Sequence, residues 1–109
     1  MTLEAMLREA VLPIVPICEP ELYEGEAEEY CTFNATEIPE GFGDNGPRAI
    51  RYLFQLHWFL PRGKRPMKTK RELCRAVLEA GFTYPSVENA SDQDSQHFVL
   101  EFEGIDGDV

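Results

Sequence analysis

The sequence predicts an α+β fold, a mainly antiparallel four-stranded sheet with two helices packed on one face, in the order α-β-β-α-β-β with an irregular edge segment after the first helix. Three observations predict it. Ile50, Tyr52, Phe54, Leu56, Trp58 and Leu60 share one parity of a long run while Arg51, Leu53, Gln55, His57 and Phe59 share the other, the period of a central strand. Two stripes recur at helical spacing, Leu3, Met6, Leu7, Ala10 and Val11, then Leu73, Ala76, Val77 and Ala80. The remaining strand-like runs are joined by short turns, which favours antiparallel neighbours. With 109 residues, 43% of them hydrophobic, residues 1–109 form one domain that can bury a core without staples.

Taken in chain order, Thr2 is placed to cap the first helix, Glu4 and Arg8 lie one turn apart, and Pro13 ends it. Pro13 and Pro16 push residues 13–17 toward extended geometry at a sheet edge, and residues 19–28 read as an acidic loop around Gly25. Tyr30 to Thr36 alternates Thr32 and Asn34 against Cys31, Phe33 and Ala35, a half-buried strand that Gly41 to Pro47 is expected to end. After the long strand and the basic turn Pro61 to Pro66, Thr69-Lys70-Arg71-Glu72 matches a capping box that opens the second helix. Gly81 followed by Phe82 predicts its left-handed cap. Thr83–Asn89 is a weak strand interrupted by Pro85, and residues 96–103 alternate as the last strand.

The charge is blocked along the chain. Residues 1–46 carry a net −10, residues 47–75 a net +8 and residues 76–109 a net −8, for a total of −10. That total disfavours nucleic acid and anionic membranes as general partners, and sequence-specific nucleic-acid binding is not expected. Opposite blocks meeting across an interface favour self-association. The cysteines, Cys18, Cys31 and Cys74, are odd in number and lack a C-x-x-C, so neither a disulfide framework nor a zinc cage is expected. An acidic N-terminal segment and the absence of a long apolar run lead us to expect an unanchored cytoplasmic protein.

Motifs of chemistry are few. Gly41-Phe42-Gly43-Asp44-Asn45-Gly46 spells G-x-G-x-x-G, but Pro47 leads into a strand where a phosphate loop needs a helix, so it reads as a tight turn. His57 and His97 fall on the less apolar strand parity, as possible neighbours on one sheet face. Paired with Cys31 or Cys74 they would make a nucleophile dyad, yet nothing in the spacing requires it, and no enzymatic role, cofactor or metal is expected. Asp92, Asp94, Asp106 and Asp108 lack the glycine and distal glutamate of a calcium loop, and Tyr52 and Trp58 read as core. Two features remain as candidate interface. One is the basic run Arg62, Lys64, Arg65, Lys68, Lys70 and Arg71, and the other is Leu53, Phe59 and Val99, which point away from the helices. Burying those three against a partner subunit contributes about 1.5–3 kcal/mol each before association is set against it.

Residues Tyr30 to Ile105 resemble the tail-terminator or head-to-tail joining (tail completion) family of small proteins found beside prophage tail genes. The likeness rests on Gly43-Asp44-Asn45-Gly46 before a long strand, on Leu73 to Phe82 ending in Glu-Ala-Gly-Phe, and on the closing Phe98-Val99-Leu100-Glu101-Phe102. The resemblance implies a structural subunit of the virion, made in the host cytoplasm, that closes into a six-membered ring and docks tail-tube and head-connector proteins. Within such a ring the basic loop 62–71 would meet the acidic 19–29 or 88–94 region of the next copy, with Leu53, Phe59 and Val99 as apolar anchors. Pro61 to Lys68 departs from the family, which usually has a shorter and more acidic connection there. The alternative reading is a small acidic module that inhibits a host protein by charge mimicry.

Overall fold

The computed structural model describes residues 2–43 and 46–107, and their side chains apart from those of 39–43, 46–49 and 106–107. Helix α1 (Leu3–Val11) begins where the Thr2 hydroxyl accepts the Ala5 N–H at 3.1 Å. It ends at Leu12, before Pro13. Arg8 does not turn back to Glu4; its Nε donates to the Cys18 carbonyl at 3.0 Å and ties the helix to the sheet edge. Strands β1 (Cys18–Pro20), β2 (Tyr30–Gly43) and β3 (Gly46–Pro61) follow, then helix α2 (Met67–Glu79) and strands β4 (Ser86–Asn89) and β5 (Ser95–Gly107).

The sheet has five strands in the order β1-β2-β3-β5-β4, and it is mixed: β1 runs parallel to β2 and every other pair is antiparallel. This corrects the expected four antiparallel strands. The extended edge segment is displaced from residues 13–17 to Cys18–Pro20, because the N–H groups of Ile14 and Val15 both donate to the Val11 carbonyl and keep the chain turning past the helix. Val15 thereby enters the core.

The hairpin is longer than the sequence implies. Residues 41–43 and 46–47 continue the ladder, with Phe42 opposite Pro47 and Gly43 opposite Gly46. The reading of Asp44 and Asn45 as a tight turn lies outside the described residues. Proline and glycine are accommodated because this stretch is marginal to the sheet. β1 accompanies β2 only to Phe33, and β5 meets β3 only from Ala49 onward, so among the described residues neither Pro39 nor Pro47 faces a second neighbouring strand.

The inward parity builds the core. Phe54, Leu56, Trp58 and Leu60 from β3 lie between Cys31 and Phe33 on β2 and Phe98, Leu100 and Phe102 on β5. Leu7 and Val11 from α1 and Leu73, Cys74 and Val77 from α2 close it from one side. Thus both helices cover a single face, as the sequence predicts. Strand β3 spans about 53 Å at the usual rise, against about 20 Å for α2, so the sheet sets the 54 Å long axis and the hairpin extends past the helical layer.

The start of α2 differs from expectation. Pro66 occupies the cap position with no side-chain cap, and Thr69 and Glu72 lie inside the helix rather than at its boundary, so the capping box does not form. Pro66 supplies the turn itself, its carbonyl accepting the Lys70 N–H at 2.8 Å. The far end follows the expected pattern. Gly81 stands at φ 108°, its N–H donates to Leu78, and the Phe82 N–H donates to Val77, the two bonds of a Schellman cap. Phe82 then meets the rings of Phe54 and Phe102 edge-on and rests over Gly104, where a Cβ would lie 2.9 Å from the ring.

Gly104→Val is therefore expected to destabilise the fold by about 1–3 kcal/mol through overpacking, and Gly81→Ala by about 1 kcal/mol through the left-handed backbone. Denaturant midpoints compared at constant m-value check both.

Candidate functional site

The second face of the sheet carries no helix, and its side chains fall into cross-strand rows. Tyr30, Phe59 and His97 form the first row across β2, β3 and β5. Thr32, His57 and Val99 form the second, Asn34, Gln55 and Glu101 the third, and Thr36, Leu53 and Glu103 the fourth. Ile38, Arg51 and Ile105 complete the face toward the hairpin end. Glu88 on β4 joins the second row beside Val99, and Ser86 joins the third beside Glu101.

The first two rows are internally committed. Tyr23 from the acidic loop packs on Tyr30 at 4.6 Å, Tyr30 stacks on Phe59 at 4.8 Å, and Phe59 stacks on His97 at 4.1 Å between ring centroids. His57 Nδ1 and His97 Nε2 share a hydrogen bond of 2.9 Å, and His57 Nε2 stands 3.5 Å from the Asn34 amide nitrogen. One nitrogen of the His57–His97 contact donates and the other accepts, so at least one of the two rings is neutral. Burial lowers both pKa values. Glu101 opposes the shift at His57; at His97 the neighbouring His57 adds to it and Asp92 opposes it.

This changes the standing of the three apolar candidates. Val99 is only 8% exposed, and Phe59 is half-buried in its ring stack, so the chain itself covers both without a partner. Leu53 remains 39% exposed. Ile105, on the same parity and 64% exposed, joins it. The alternation that ends in Phe102 already placed Ile105 outward, but Gly104 obscured the strand's continuation. Below these rows lies a trough of about 440 Å³ lined by Asn34, Thr36, Leu53, Gln55, Glu101 and Glu103 and bounded by Thr83 and Ser86. Within it Gln55 Nε2 donates to Glu101 at 3.2 Å, and Arg51 pairs with Glu103 at 2.5 Å.

The basic run divides in two. Its first part meets acidic segments of its own chain. Arg62 donates to the Asp92 carbonyl, and Lys64 pairs with Glu29 at 2.9 Å. Glu29 also accepts the indole N–H of the fully buried Trp58 at 3.1 Å, so one carboxylate satisfies a core donor and holds the basic loop. Gln96 Nε2 secures the same loop by donating to the carbonyls of Pro61 and Lys64. The 19–29 and 88–94 contacts assigned to a neighbouring copy are thus made in cis by these two residues.

The second part rides on α2. Lys70 lies 5.2 Å from the Phe98 ring centre, Lys68 reaches Glu72 at 4.0 Å, and Arg71 is exposed, as is Arg65 in the turn just before the helix. Arg75, not singled out from the sequence, continues the row.

The three thiols all lie on the helix side. Cys18 stands directly opposite Cys31 in the β1–β2 register, and both are buried with Cys74. Burial pushes the Cys18 thiol up to about 11 and raises Cys31 and Cys74 as well. The sheet separates these thiols from His57 and His97, so no Cys–His dyad forms among them. Asp92 is a turn former, its carboxylate accepting the N–H groups of Asp94 and Ser95, which lowers its pKa.

The sequence matches no protein-family model and no curated protein. Among solved structures, one whose description states no function aligns with 100% of this chain and 98% of its own length, at a TM-score of 0.56 and 13% identity. That likeness shows a shared fold.

Two expectations follow. As the histidine pair is held neutral below its ordinary value of 6.5, the unfolded chain takes up protons first, so stability falls as pH drops below about 6.5 and levels off beneath the folded-state pKa values. Urea midpoints between pH 8 and pH 5 check this, and His97→Phe flattens the slope. In the native protein all three cysteines label with iodoacetamide only as fast as the fold opens; mass spectrometry that finds one fast-labelling site overturns that.

Proposed function

We propose that the chain is a structural subunit that self-associates into a ring at the head-proximal end of a long phage tail, as a tail terminator or head-to-tail joining protein. One observation carries the reading: among the described residues no helix covers the outer sheet face, and toward the hairpin end it presents Leu53 and Ile105 to solvent. Burying those two side chains against another copy is favourable, since it removes their apolar surface from water. The blocked charge supports the same reading, because Arg71 and Arg75 on α2 have no ion-pair partner among the described residues while the face opposite carries Glu88 and Glu101. A ring of identical units needs two different matching patches on each unit, and this subunit carries both.

Light scattering of the purified protein over a concentration series is expected to show a mass rising from the 12.4 kDa of one chain toward a six-membered assembly. A single-chain mass that persists at millimolar concentration overturns the reading.

A further inference from the structure

Helix α2 and the outer sheet face lie on opposite sides of the molecule, since α2 packs on the inner face. The solvent side of α2 is a ridge. Lys68, Arg71 and Arg75 follow one another at i, i+3 and i+7, flanked by Met67, which is 61% exposed, and Leu78, which is 47% exposed. Among the described residues Arg71 and Arg75 have no ion-pair partner, and Lys68 has only Glu72 at 4.0 Å. The outer-face trough has the opposite character. Glu101 in it and Glu88 in the adjoining row meet no cation among the described residues, the exposed Leu53 lines it, and the exposed Ile105 stands one row beyond on the same face.

We propose that the occupant of the trough is the α2 ridge of a second copy of this chain. The inference deepens the ring reading and rests on it. Complementary charge selects the pairing, since the cations of the ridge meet Glu101 and Glu88 while Met67 at its start meets Leu53 and Ile105. The dimensions agree. Met67 to Arg75 spans about 12 Å of helix, and the rows from Glu88 and Val99 to Leu53 and Glu103 span about 14 Å of strand. Strands β2, β3 and β5 are together about 10 Å across, the width of one helix. The contact is head-to-tail: each copy offers a ridge on one side and a trough on the other, so it propagates and closes into a ring where the rotation permits. It replaces the loop-to-loop charge contact expected from the sequence, whose cations Arg62 and Lys64 are already engaged within the chain.

The head-to-tail geometry gives a test that a two-fold contact cannot mimic. Arg71→Glu with Arg75→Glu removes the ridge, and Glu88→Lys with Glu101→Lys removes the trough. In analytical ultracentrifugation each double variant is expected to self-associate at least tenfold more weakly than the wild type, with an unchanged urea midpoint. Mixed in equal amounts, the two are expected to assemble past the heterodimer, because the intact ridge meets the intact trough and the reversed ridge meets the reversed trough, whereas a two-fold contact stops at the dimer. The quadruple charge swap is expected to restore assembly, and wild-type assembly to weaken from 50 to 500 mM salt. A second pair, Met67→Asp and Leu53→Asp, reads the same geometry through its apolar contacts if a charge variant fails to fold. Wild-type assembly that neither pair disturbs, or variants that stay apart when mixed, overturns the ridge-in-trough contact and leaves the ring reading standing. A wild type that remains a single chain overturns both.

Discussion

The period of two along β3 is the constraint on which the rest of the molecule depends. Because β3 is paired on both sides for most of its length, every residue along it is committed to one of two faces. The inward set of Phe54, Leu56, Trp58 and Leu60 is large and apolar enough to require a complete helical layer, and it receives one. The outward set is mixed, and each of its members takes the character of its row: Phe59 within a ring stack, His57 within a polar chain, Leu53 facing water. A one-residue slip of β3 would bring Arg51, Gln55 and His57 beneath the helices, which is why register is so strongly specified here.

The second organising feature is the neutralisation of charge within the chain. Blocks of opposite sign look from the sequence like a recipe for intermolecular attraction, and part of that attraction is spent internally. Glu29 joins the indole of Trp58 to the ammonium of Lys64, and Arg62 crosses to the 88–94 turn. Lys64 is largely solvated, so its ion pair contributes little by itself. The indole bond matters more, because Trp58 is fully buried and an unmet N–H there would go unsatisfied. The cations without an ion-pair partner among the described residues, Arg71 and Arg75, stand on helix α2 rather than on a loop.

Much of this architecture was legible in the residues. The parity of residues 50–60, the Thr2 cap, the two helical stripes and the Gly81 cap all act locally, through sterics and short hydrogen bonds, and each stands where its pattern places it. The differences within the sheet share a cause, since there a neighbouring strand decides what the local pattern does not. Glycine and proline at 39–47 argue against a strand in isolation, yet a paired partner on one side carries the ladder through them. Thr69 and Glu72 spell a cap, but Pro66 turns the chain first. Val99 reads as bare on parity alone, whereas its burial depends on Glu88 and His57 across two adjoining strands. Only a register supplies that information, and the same register brings Cys18 beside Cys31 and His57 beside His97.

The bare margin of β2 beyond Phe33 has a consequence for how copies can meet. A long strand with unpaired amides is a template on which identical chains can stack without limit, the route to fibres. Here an imino acid, Pro39, removes one donor from that margin, so it is a poorer template for a like edge than an unbroken strand of the same length.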